Sequence, residues 1–360
     1  MVHQILNVLF VIVVIAFGLG LLVFIHELGH FLTAKFFKVK VLTFAFGFGP
    51  DLISFKRKGE GTKYAIKAIP LGGFVSMAGD NADTATGGEG EYFSLSWYKK
   101  ALIAFAGPFY NYILAIILFS AIIFFSGIPQ PLDTYKITDI MADSPAQTAG
   151  ILKGDKIISI GSVKIKSWED ITDNIRANAG KKTAFIVERG TYSFSVNIQI
   201  GDNGMIGIAA EPDYVYLKSG FFASIAAGVK APINYTKFTL VHLWKSAKNK
   251  TNPQLSGPIG VMKFMADSAK SGFGDYIQLL AILSVALGLF NLLPIPLVDG
   301  GMIVLFIVEG IIRKKISNKV ISIYNTIGLV IILFIFIYAT QGDLARNGVF
   351  QWVGKLFGGS

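Results

Sequence analysis

Four stretches of the chain carry apolar side chains without a charge over the length of a bilayer crossing. Residues 8–25, 101–125, 277–297 and 320–340 each predict a spanning helix, which needs roughly 20 such residues. The first run has no basic start and passes into His26-Glu27-Leu28-Gly29-His30 without a small-residue cleavage site, so it reads as a retained helix rather than a signal peptide. Residues 220–233 are apolar but interrupted by Lys230 and Pro232, and the continuation adds Lys237, Lys245, Lys248 and Lys250. That stretch is too short to span and predicts an interfacial helix.

Between residues 136 and 200 the period changes. KITDI, KGDKIISI, TAFIVERG and YSFSVNIQI alternate as half-buried strands, with SPAQTAG between the first two, and residues 168–177 read as a helix. This is the pattern of a small water-soluble α+β domain inserted between membrane spans. Between the first two spans, residues 62–75 (TKYAIKAIPLGGFV) read as a hairpin with Gly72 and Gly73 as its flexible point.

Composition agrees with lipid as the outer solvent. Hydrophobic residues make up 52% of the 360 and charged residues only 16%, well below the roughly 25% charged of soluble domains. A soluble globule is excluded. The net charge of +10 would suggest nucleic acid in a soluble protein, but the basic residues sit at span ends. Lys35, Lys38, Lys40, Lys99, Lys100, Arg313, Lys314, Lys315 and Lys319 mark the loops after span one, before span two and between spans three and four as cytoplasmic. Both termini and residues 126–276 then lie outside, and nucleic-acid binding has no separate support. The absence of cysteine removes disulfides, thiolate metal sites and a thiol nucleophile.

The chemistry begins at the end of the first span. In a helix, residues four apart share a face, so His26 and His30 can reach one ion with Glu27 beside it. Two of only four histidines stand at this spacing, at a membrane depth where ionisable groups are costly. A catalytic zinc takes three protein ligands and a water. Asp299 meets the need for a third: spans one and three run in the same direction, so His26 and Asp299 emerge on the same side. His3 and His242 fall outside by this topology and are weak candidates.

Two resemblances rest on these residues. Ser144-Pro145-Ala146, Ala149-Gly150-Ile151, Gly154-Asp155 and Val187-Glu188-Arg189-Gly190 resemble a bacterial PDZ domain, a module that binds extended peptide at a sheet edge. HELGH on span one, Asn111 in AGPFYN on span two, that insert, SGPIG at 256–260 and NLLPIPLVDGG at 291–301 together resemble the site-2 protease family of intramembrane zinc metalloproteases. It looks closest to the bacterial enzymes that clip membrane-bound anti-sigma factors.

The resemblance implies a polytopic α-helical membrane protein of four transmembrane helices, with a membrane-associated β-hairpin and an inserted extracytoplasmic PDZ domain. The expected parts are a first transmembrane half (1–126), the PDZ domain (127–202), a connector with the interfacial helix (203–276), a second transmembrane half (277–345) and an extracytoplasmic tail (346–360). It implies Zn2+ held by His26, His30 and Asp299, with Glu27 as general base, and Asn111, Asn291, Pro296, Gly72 and Gly73 meeting substrate. Pro294 and Pro296 would break span three, and Gly300 and Gly301 would allow the turn that aims Asp299 back. The implied substrate is a single-pass membrane protein, such as an anti-sigma factor or a remnant signal peptide, in the bacterial plasma (inner) membrane. Further implied partners are a peptide ligand of the PDZ domain and membrane lipid. An inert PDZ scaffold and a metal transporter are the alternatives; neither needs a base at Glu27.

Overall fold

The computed structural model describes residues 2–57, 61–80, 85–250 and 256–346. Lys58 and, but for Arg346, the expected tail therefore lie outside the described residues. The chain divides into two compact units, one of residues 1–123 and 221–360 and one of Phe124–Gly220.

The first unit opens with α1 (Val2–Phe36), whose uninterrupted apolar run sustains 35 helical residues. It stops where Lys38 turns left-handed (φ 61°) and Val39 N–H closes on Ala34 O at 2.9 Å. Two long strands follow, β1 (Val41–Lys56) and β2 (Lys63–Met77). Here the structure departs from the expected hairpin within residues 62–75: that segment is one strand, and its partner is β1. The pairing is folded on itself, with Phe44 opposite both Val75 and Tyr64, and Phe55 also opposite Tyr64. The segment from Gly73 to Met77 thus pairs on one side only. Gly72 and Gly73 are points of close approach rather than a turn. A Cβ on Gly72 (φ +146°) would meet the Phe48 ring at 2.9 Å, and one on Gly73 would meet Ala45 O at 2.7 Å. Phe44 stacks on Phe31 of α1 with ring centres 4.5 Å apart, so the sheet is seated along the helix that carries the HELGH motif.

Next is α2 (Trp97–Ser126), which keeps Pro108 inside it. The second unit runs β3 (Ile128–Ile140), α3 (Pro145–Thr148), β4 (Lys156–Ile160), β5 (Val163–Lys164), α4 (Trp168–Ala177), β6 (Lys182–Arg189), β7 (Tyr192–Gln199) and β8 (Ile208–Leu217). Its antiparallel sheet has the order β7-β6-β4-β3-β8, with β5 beside β4. Alternation along the strands sends Ile137, Ile157, Phe185, Val187 and Ile198 into one core, closed by Ile171 of α4. Ser167 and Asp170 cap α4 reciprocally. The sheet reaches beyond residues 136–200, because β8, which falls in the segment read as connector, pairs with β3 from Ile128 to Ile140.

The chain returns to the first unit with α5 (Phe221–Asn249), α6 (Pro258–Ser271), α7 (Phe273–Leu292), α8 (Asp299–Ile312) and α9 (Asn318–Arg346). Among the described residues, four helices are long and apolar enough to cross a membrane: Leu9–Phe36, Trp97–Ser126, Phe273–Leu292 and Asn318–Arg346. They correspond to the four predicted spans. The protein is thus mostly helical and built for a membrane. The third span is shorter than its apolar run. It stops at Leu292, because Leu293 precedes a proline and is extended (ψ 144°), and Leu297 then takes a φ of 78°. Gly300 and Gly301 do not form the expected turn; they lie in the first turn of α8, pressed against Leu293 O and Ile295 O. The helix expected over 220–233 runs on to Asn249 and lies along α2: Gly228 faces Ser120, and Tyr112 Oη meets Thr236 Oγ1 at 2.8 Å.

Two polar clamps join these helices. Lys100, counted above among the solvent-facing charges, is buried: its Nζ reaches both oxygens of Glu309 on α8 at 2.7 and 2.8 Å and lies 4.7 Å from the Phe306 ring centre. Asp343 of α9 accepts the N–H groups of Gly257 and Gly260 at 3.1 and 2.7 Å, so the SGPIG glycines form the capped start of α6.

Candidate metal centre

Helical periodicity puts His26 and His30 on one face of α1, with ring centres 4.8 Å apart, and turns Glu27 about 100° from His26 and about 60° from His30. The break after α7 lets α8 begin at Asp299, whose carboxylate stands 3.0 Å from His26 Nε2 and 3.5 Å from His30 Nε2. The two Nε2 atoms are 3.1 Å apart. Ligand atoms around a tetrahedral ion with bonds of about 2.0 to 2.1 Å stand roughly 3.3 Å from one another. Among the described residues, these three form the group that could hold a metal ion.

The far sides of the rings fit that use. His30 Nδ1–H donates to Ile103 O at 2.7 Å, which leaves the Nε2 lone pair free for a metal. His26 Nδ1 faces the Asn111 carboxamide, with Nδ2 at 3.1 Å, while Asn111 Oδ1 is buried without a partner. Half a turn of the carboxamide replaces Nδ2 by Oδ1, gives that oxygen the ring N–H and frees His26 Nε2 as a ligand. One orphaned atom and one tautomer are settled by the same rotation. Asn111 is fully buried, and its main-chain carbonyl accepts Ser284 Oγ–H at 2.8 Å. It stands behind His26 rather than in the cleft where substrate contact was expected.

Glu27 faces the sheet. Its Oε2 accepts Val75 N–H at 3.0 Å, so the one-sided segment of β2 passes beside the metal-binding group. A cleft of about 600 Å³ opens there, lined by Glu27, His30, Asp299, Val75 and residues of α9. A smaller one of about 300 Å³ is lined by Glu27, both histidines, Asp299 and Asn291. Gly72 lies against Val23 and Gly73 against the Phe24 backbone, one turn of α1 before the histidines. Pro296 is not among the residues lining either cleft; it packs against Gly328 of α9 and Gly301 of α8. His242 stacks near Phe238 on α5, and the side chain of His3 lies outside the described residues.

Sequence reasoning passed over two glycines that shape the group. A Cβ on Gly107 would strike the His30 ring and stand 2.8 Å from His26 Cε1, and a Cβ on Gly29 would strike the Ala106 carbonyl. The signal was present as small residues in AGP and HELGH, the composition that lets two helices approach closely. Val75 left no signal, because its contribution is a main-chain N–H.

Comparison with known proteins gives the family. The model of a family described as "Peptidase family M50" matches residues 14–335. A Clostridium acetobutylicum protein named "Putative zinc metalloprotease" is 32% identical over 339 residues, covering 93% of this chain and 97% of its own. A Rickettsia conorii protein of the same description is 33% identical over 348 residues, covering 91% and 96%. The Enterococcus faecalis "Probable protease eep" is 27% identical over 414 residues, covering 91% and 97%. With a family match over residues 14–335 and these relatives aligned nearly end to end, the chain belongs to peptidase family M50, the family of the site-2 proteases.

Proposed function

We propose that the protein is a zinc endopeptidase that hydrolyses a peptide bond within or beside the transmembrane segment of a single-pass membrane protein. The observation that carries this reading is the meeting of His26, His30 and Asp299 with Glu27 in a cleft bordered by a strand. Two neutral imidazoles and a carboxylate are a donor set suited to zinc. Zinc so held supplies Lewis acidity and brings the pKa of water to about 7.

The chain's own groups do the rest. Glu27 accepts the proton of the attacking water and can deliver it to the leaving amine. Asn111 and Ile103 O keep the imidazoles turned for ligation. The outer edge of residues 73–77 receives substrate as an added strand through the main-chain groups left over there, since Val75 N–H is held by Glu27 and Met77 N–H by Asp80. Asn291, in the smaller cleft, is placed to meet the substrate backbone. An inert scaffold or an ion path needs no carboxylate between the ion and such a strand.

The Phe124–Gly220 unit is read as the PDZ-like module, a binder of extended peptide that restricts which substrates arrive. The substrate class is an anti-sigma factor or a remnant signal peptide in a bacterial plasma membrane. The basic residues at the span ends support a cytoplasmic β1–β2 sheet and an inserted unit outside. A tag after Lys58 should be shielded from impermeant reagents and one near Asn203 reached; reversed labelling would invert that orientation. The central test is zinc content and cleavage of single-span peptides by purified protein. About one zinc per chain is expected, falling sharply in His26→Ala and Asp299→Ala. Full zinc in both variants would sink the ligand assignment.

A further inference from the structure

The large cleft has one wall without an assigned task. That wall is α9, which presents Ile321, Ser322, Asn325, Thr326 and Leu329 toward the space that holds Glu27 and Asp299. Thr326 is occupied at home, its hydroxyl donating to Ser322 O at 2.9 Å. Asn325 is not. Its Oδ1 is buried and has no hydrogen-bond partner, and of the orphaned side-chain atoms among the described residues it is the one on a residue lining this cleft.

A buried carbonyl oxygen without a donor is costly. The backbone around it is firmly placed. Tyr324 Oη–H donates to Gly301 O at 3.0 Å, Ile321 is buried against α8, and Gly328 is pressed on Pro296. Asn325 Oδ1 is therefore held in position without a partner.

A substrate has the complementary defect. A helix unwound for cleavage exposes N–H and C=O groups on both sides of an extended strand, and β2 can pair with one side only. We infer that Asn325 is a substrate-binding residue whose Oδ1 accepts a main-chain N–H from the side of the extended substrate that faces away from β2. The contact is to backbone, so it selects an unwound conformation rather than a side chain. This rests on the peptidase reading above and adds the second wall of its binding cleft.

Ester substitution tests it without turnover. In a Glu27→Gln background, a single-span peptide would be compared with versions carrying one ester in place of each amide near the scissile position, with and without Asn325→Leu. An ester removes one N–H and little else. Asn325→Leu should weaken binding of the all-amide peptide by roughly five- to thirtyfold, and at one position the ester should cost that factor with Asn325 but nothing with leucine in its place. The thermal midpoint should hold or rise, since the orphaned oxygen is gone, and zinc content should not change. Equal ester costs in both backgrounds at every position, unchanged affinity in Asn325→Leu, or no binding of the all-amide peptide would overturn the inference. Absence of hydrolysis by the protein with Glu27 intact, with the ester coupling present, would sink the peptidase reading alone.

Discussion

Val75 donates its main-chain N–H to Oε2 of Glu27 at 3.0 Å, so the edge segment of the sheet and the acid beside the histidines are tied by one hydrogen bond. The amide oxygen introduced by Glu27→Gln could still accept that bond, but the amide could not take a proton from water. Folding and zinc content should persist while hydrolysis falls by about 100- to 10,000-fold. Cleavage and zinc measured on one preparation check this; undiminished cleavage by zinc-loaded protein would place the base elsewhere.

Gly107 should be intolerant of even one methyl group. Its ideal Cβ position is 2.5 Å from His30 Cε1 and 2.8 Å from His26 Cε1, so Gly107→Ala must push both rings off their common focus. Zinc affinity should drop by about 10- to 100-fold, the range seen when ring orientation is lost. Competition with a chelator reads this directly, and wild-type affinity in the variant would show that α1 and α2 part without cost.

Lys100 and Glu309 should behave as a unit. Removing one partner strands a buried charge, so Lys100→Met should cost about 3 to 5 kcal/mol, whereas Lys100→Met with Glu309→Leu should recover most of it. Thermal unfolding in detergent compares the two. If the double variant is no better than the single one, the pair is not what holds α8 to the start of α2.

The inserted unit should respond to acid through Asp155. Burial pushes its carboxyl up, but two hydrogen bonds from Arg189 and one from Leu152 N–H outweigh that and hold it below the usual carboxylate range. A carboxylate depressed in the folded state adds stability above its unfolded pKa, near 4. That stability is lost as pH falls through the folded value. Asp155→Asn should therefore be less stable than wild type at pH 7, and the gap should narrow as pH falls below about 4 and through the lower folded value. A gap that does not depend on pH would mean that the ionised form is not what Arg189 holds.

Several features of this protein are local in sequence and were legible there. The four spans follow from length without charge, and the pairing of His26 with His30 and the neighbouring Glu27 follow from 3.6 residues per turn. The alternation over residues 136–200 announced a sheet, because every second side chain had a core to enter. Asp299 was reachable by parity of the spans, since the direction of a helix survives without knowing how it packs.

Tertiary structure decided what depends on approach between distant segments. Nothing in TKYAIKAIPLGGFV says that its partner is VLTFAFGFGPDLISFK, because strand pairing is written in main-chain groups common to every residue. The roles of Gly107 and Gly29 are spaces, visible only once α1 and α2 lie side by side. Asn111, expected to meet substrate, lies beside the His26 ring because its depth in α2, and not its chemistry, sets what it touches. Lys100 looked like a loop charge until Glu309, on a helix short enough to escape the count of spans, came within 2.7 Å of it. Residue type and spacing therefore specify chemistry that one helix can assemble, while burial and the facing of helices assign every role that needs two.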